Sequence, residues 1–178
     1  MIFDPRYWKN DLKRIAEELH HRRIQRRWTD ASYAALEKSI MIGFYAIRRL
    51  SEAFQPTDLP TSVQLLEFFP KSKKLSILHW PSLEDHFDLS SPKRISQSLL
   101  FICHQIIHSH VFRAHFDEGG KLAGIFFCSD KEKEKRLFLM GLDTIIVLFE
   151  NLAEATKGPI RLRFAPYSIR DCRRTQVG

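Results

Sequence analysis

The hydrophobic period of the chain changes at Gln55–Pro60, and that change limits the folds open to it. Upstream, Trp8, Leu12, Ile15 and Leu19 recur at spacings of four, three and four residues, and Tyr33, Leu36, Ile40, Phe44, Ile47 and Phe54 keep the same period. Each set lines one face of a helix with about 3.6 residues per turn. The spacing predicts helices over 7–27 and 30–54, divided at Thr29-Asp30, whose side chains suit an N-cap. Pro56, Asp58 and Pro60 then stop the second helix. Downstream, Val63–Phe69 and Leu75–Trp80 are short apolar runs, closed by Pro70 and Pro81 and separated by the basic turn Lys71-Ser72-Lys73-Lys74. They read as strands.

Ser91-Pro92 has the form of an N-cap followed by proline at the first helical position, which predicts a third helix over 92–111. On that helix Ile95, Leu99, Ile102, Cys103 and Ile106 share one side, and Arg94, Gln97, His104 and His108 the other. Residues 112–128 alternate around the turn Glu118-Gly119-Gly120 as a hairpin does, and a further strand runs through Leu137 and Leu139. A last helix covers 142–156, with Gly158 as its stop. The expected fold is α+β and mainly helical, about four helices with a small antiparallel β-meander or hairpin. One domain over 1–158 would precede a basic strand and tail over 159–178, the strand itself over 160–165.

Composition narrows the function classes. Hydrophobic residues make up 44% of the chain and include 14 Phe, enough for a real core, whereas 7 Gly cannot supply a phosphate-cradling or dinucleotide-binding loop. Cys103, Cys128 and Cys172 are far apart and form no C-x-x-C, so neither a disulfide framework nor a thiolate metal site is expected, and no cofactor. The apolar stretch Phe138–Leu152 is interrupted by Asp143 and Glu150 and falls short of the ~20 residues of a membrane span. With no leader pattern at Met1–Arg6, a cytoplasmic protein without a membrane partner is expected.

The net charge of +7 is unevenly placed. Residues 1–30 carry eight Lys/Arg against five Asp/Glu, residues 157–178 carry six against one, and the middle is close to neutral. Basic ends favour an anionic partner, RNA first. Arg22, Arg23, Arg26 and Arg27 would form a cationic patch beside Trp28, with arginines on phosphates and the indole under a base. The competing reading is a solvated helix end paired with Glu17, Glu18 and Asp30. Arg161 and Arg163, interleaved with Leu162 and Phe164, would be a second contact or a strand of the protein's own sheet.

His104 and His108 stand four residues apart, a metal-ligand spacing, in Cys103-His104-Gln105-Ile106-Ile107-His108. Gln105 occupies the place where a zinc-peptidase helix needs Glu, and a third ligand would have to come from His79, His86, His115 or Asp117. No metal is therefore expected.

The stretch Cys103–Phe112, with Gly124–Asp130 and Lys135-Arg136-Leu137, resembles an uncharacterised group of small bacterial proteins with a Cys-polar-x-Ile-Ile-His-Ser helix before a hairpin. A helix with a polar residue and a His four apart also resembles the HEPN superfamily, whose ribonucleases use Arg-polar-x-x-x-His. That resemblance implies His108 as the catalytic histidine and His104 as the polar residue. Cys103 stands where the Arg belongs, so a nuclease would need Arg94 or Arg113 as its replacement cation. Three functions follow as expectations: a non-catalytic binding module for RNA or another polyanion, a HEPN-like metal-independent ribonuclease, and a structural homodimer without ligand.

Overall fold

The computed structural model describes residues 4–51, 62–71 and 83–155. Among these, five helices and five strands follow in the order α1 (Pro5–Arg23), α2 (Asp30–Ser51), β1 (Val63–Phe68), α3 (Leu83–His86), β2 (Lys93–Gln97), α4 (Leu99–Ile107), β3 (Ser109–Phe116), β4 (Leu122–Ser129), β5 (Leu137–Gly141) and α5 (Leu142–Glu154). The class is α+β, with more sheet than a small meander. The strands form one five-stranded sheet in the order β2-β1-β5-β4-β3, every neighbouring pair antiparallel.

Helix α1 starts at Asp4, whose carboxylate accepts the Arg6 N–H at 2.9 Å, with Pro5 at the first helical position. Its buried stripe Leu12, Ile15, Ala16 and Leu19 packs on α5 and α2. The helix ends four residues earlier than its basic run predicts. Ile24 closes it with N–H donation to His21 O, and Gln25 donates to Arg22 O, so Arg26 and Arg27 lie in the connection to α2. Helix α2 buries Leu36, Ile40, Gly43, Phe44, Ala46, Ile47 and Leu50.

The predicted helix over 92–111 is corrected. Lys93–Gln97 is an edge strand in register with β1, from Val63 opposite Gln97 to Glu67 opposite Lys93. Helix α4 begins only at Leu99, capped by Ser98, whose hydroxyl accepts the Phe101 N–H at 3.2 Å. It ends at His108, and Ser109 opens β3. Ile95 and Leu99 satisfy a helical spacing by coincidence. The backbone of 93–97 finds its hydrogen bonds on the apolar strand β1, and that tertiary pairing outweighs local propensity. The hairpin expected over 112–128 is present as β3 and β4, around a turn in which Gly120 has φ 72°. The expected strands at 75–80 and 160–165 and the tail to 178 lie outside the described residues.

Helix α4 lies over the sheet face that carries Phe127 and Phe138, since the Phe101 ring meets Phe138 edge-on at 5.7 Å. Beneath it, buried Glu67 accepts from Arg136 at 3.1 Å while Arg136 also donates to Glu132 at 2.6 Å. The guanidinium lies 5.5 Å from the Phe138 ring centre and 5.9 Å from that of Phe101. This network fixes the base of the turn between β4 and β5.

Candidate anion-binding face

The two histidines singled out by spacing do come together. His104 is half-buried and His108 exposed on one side of α4, with ring centres 4.7 Å apart. The opposite side of the helix, Leu99, Ile102, Cys103 and Ile106, is buried and fixes its rotation. Burial first, then the charges of His108, Lys131 and Arg48, hold the His104 imidazole below its usual range. Those charges come from three elements: α4 itself, the last turn of α2, and the turn 130–135. Among the described residues neither Arg48 nor Lys131 makes an ion pair.

Arg94 and Arg113, the expected replacement cations, are placed elsewhere. Register runs from Arg94 to Leu66, Leu139, Phe126 and Arg113, and side chains alternate between faces along a strand. Both arginines therefore belong to the face opposite that of Phe127 and Phe138, where α4 lies. They stand on the two edge strands, about 19 Å apart at ~4.8 Å per strand spacing. His115 is on their face, buried against Phe126 at 5.2 Å, and cannot join His104 and His108. Among the described residues no cluster of three His, Cys, Asp or Glu groups suits a metal. Cys103 and Cys128 are free and buried, and desolvation pushes each thiol up to about 12, which removes them as nucleophiles at neutral pH.

A cleft of about 880 Å³ opens beside Lys131, with Phe69–Lys71 on one wall and the turn 130–135 on the other. The first wall is tied down by Lys71 N–H donating to His86 O at 2.8 Å and Asp88 N–H to Phe69 O at 2.9 Å. In the second, Glu132 and Lys133 N–H donate to Ser129 O, and Lys135 and Arg136 N–H to Glu132 O. Lys71, Lys131, Lys133 and Lys135 line the cleft together with the carboxylates of Asp130 and Glu134, and Phe69 is 48% exposed at its edge. Asp130 is occupied by Lys133 at 2.6 Å and faces His110 at 3.5 Å, and its carboxyl is held below the usual range chiefly by Lys133. Spacing alone could not find this face. Arg48, Lys71 and Lys131 are distant in sequence, and Lys131 sits in a run of alternating charges that reads as neutral.

The arginines of the first helix end are partly neutralised. Arg22 donates to Glu18 at 2.7 Å, and Arg23 pairs with Asp143 of α5. Arg26 and Arg27 are exposed. Trp28 packs edge-on against Phe116 at 5.2 Å, stands 5.2 Å from Tyr33, and donates its indole N–H to Gln25 O. Its ring thus closes the α1–α2 connection onto β3. Arg161 and Arg163 lie outside the described residues.

Compared with known protein families, curated proteins and solved structures, the chain matches none.

Proposed function

We propose that the protein binds single-stranded RNA non-catalytically, through the basic face that joins the cleft at Phe69 to the α4 histidines. The observation that carries this reading is the convergence of four lysines from two chain segments on one cleft, in excess over its two carboxylates Asp130 and Glu134, with an exposed aromatic ring at its edge. Lysines neutralise phosphates along a flexible strand, and a ring such as Phe69 stacks a base without regard to its identity. The cleft is open, so it suits a strand better than an enclosed small molecule. Binding should be tightest at low salt and largely indifferent to sequence.

Fluorescence anisotropy with a labelled oligoribonucleotide tests this. Changing Lys71, Lys131 and Lys135 together to Gln should weaken binding and flatten its dependence on log salt by about 0.7 for each phosphate no longer neutralised. Unchanged affinity would take the RNA path away from this cleft, whereas no binding by the parent at low salt would remove the RNA reading and favour a homodimer without ligand.

A further inference from the structure

We infer that His104, His108, Arg48 and Lys131 form a clamp for a terminal phosphate, the phosphomonoester at one end of the strand; the inference rests on the RNA-binding reading. The geometry comes first. The two imidazoles stand on one side of α4 with ring centres 4.7 Å apart and planes tilted by 51°, and Arg48 of α2, which packs on α4, and Lys131 of the turn 130–135 are close enough for their charges to act on His104. Like charges gathered this way repel one another, and an anion placed among them reverses the balance.

Charge then selects the kind of phosphate. An internal phosphodiester carries a single negative charge, whereas a terminal phosphate carries about −1.5 to −2 at pH 7 and offers three acceptor oxygens. Two permanent cations and two protonatable rings match the second. Asp130, next to Lys131 in the chain, is engaged with Lys133 and His110 and leaves the clamp cationic. Lys131 belongs to both the clamp and the cleft, so a phosphate held by it sits where the strand enters towards Phe69.

A dianion beside His104 favours its protonated form, so the preference for a phosphorylated end should strengthen as pH falls from about 8 to about 6.5. Below about pH 6 the phosphate itself takes up a proton, and the gain levels off.

The test compares three oligoribonucleotides of one sequence: 5′-phosphorylated, 3′-phosphorylated, and with hydroxyls at both ends. At about pH 6.5 one phosphorylated form should bind about tenfold more tightly than the hydroxyl form, as one added charge-assisted hydrogen bond provides. That advantage should vanish in His108→Gln and in Arg48→Gln, both at exposed positions, while binding of the hydroxyl form falls much less. Equal affinity for the three strands in the parent would overturn the clamp and leave the RNA reading intact, whereas failure of all three to bind would overturn both. Independently of any variant, inorganic phosphate should raise the titration midpoint of the His104 ring protons by NMR. A midpoint that ignores phosphate would also sink the proposal.

Discussion

At the scale of single residues, His104 and Glu67 show two ways of placing a charged group. Burial first, and then the cations around it, disfavour the charged form of His104. Its folded pKa lies below its unfolded one, so as pH falls through about 6.5 the unfolded chain takes up the proton first and the folded state loses stability. Lys131→Gln should therefore raise the His104 midpoint and lessen that acid loss, as ring-proton NMR and urea unfolding at two pH values would read. An unmoved midpoint would mean that burial alone sets it. Glu67 is instead paired. It is 5% exposed, and Arg136 neutralises it from above the Phe138 ring. Arg136→Ala leaves a buried carboxylate without its cation, which should cost about 2–3 kcal/mol, below the range for fully buried pairs because Arg136 is half-exposed. Urea unfolding within about 0.5 kcal/mol of the parent, an ordinary surface value, would contradict this.

Between elements, two glycines leave the room that a neighbour fills, a backbone at Gly124 and a side chain at Gly43. A Cβ at Gly124 would stand 2.5 Å from the Met140 carbonyl oxygen on β5, a backbone atom held in the sheet. A Cβ at Gly43 would stand 2.4 Å from the rim of the Phe149 ring, a side chain that can shift only by disturbing its edge contact with Phe44. Gly43→Ala also gains about 1 kcal/mol of helix propensity, which offsets part of an overpacking cost of about 1–3 kcal/mol and leaves a net cost of about 0–2 kcal/mol. Gly124→Ala should cost more than Gly43→Ala, and the reverse order by thermal or urea unfolding would show that β4 and β5 separate easily. Neither approach is visible in the sequence. What is legible there is amphipathic periodicity, which finds α1, α2 and α5 because each buries one continuous stripe, although α1 ends four residues earlier than its spacing predicts. The hairpin of β3 and β4 is legible from its Gly-Gly turn. The boundary between β2 and α4 is not: 93–97 has one apolar residue, Ile95, and is a strand only because β1 lies beside it. The site follows the same division. His104 and His108 are found by a local spacing, whereas Arg48, Lys71, Lys131 and Phe69 are assembled by tertiary structure.

For the whole molecule, the fold sorts charge differently from the chain. Read linearly, the cations concentrate at the ends and the middle is nearly neutral, yet the basic face is built from that middle. The turn 130–136 shows how this happens. Asp130 is occupied by Lys133 and Glu132 by Lys135 and Arg136, which leaves Lys131 beside His104 and the exposed Glu134 on the surface of the turn. At the first helix end the reverse occurs, because Glu18 and Asp143 engage Arg22 and Arg23. Arg23 to Asp143 also joins α1 to α5, so part of that arginine's work is to hold two helices together. Two Gln variants separate the readings: one at Arg22, Arg23, Arg26 and Arg27, the other at Arg48, Lys71, Lys131 and Lys135. Both remove four formal charges, so a nonspecific effect of net charge would weaken RNA binding equally. A localised face predicts instead that the second variant loses more affinity and more of the salt slope, up to about 0.7 for each phosphate it ceases to neutralise. The first variant should lose chiefly through Arg26 and Arg27, the two exposed arginines of that cluster. Equal losses would assign binding to overall charge, and a larger loss in the first variant would move the RNA path to the connection between α1 and α2.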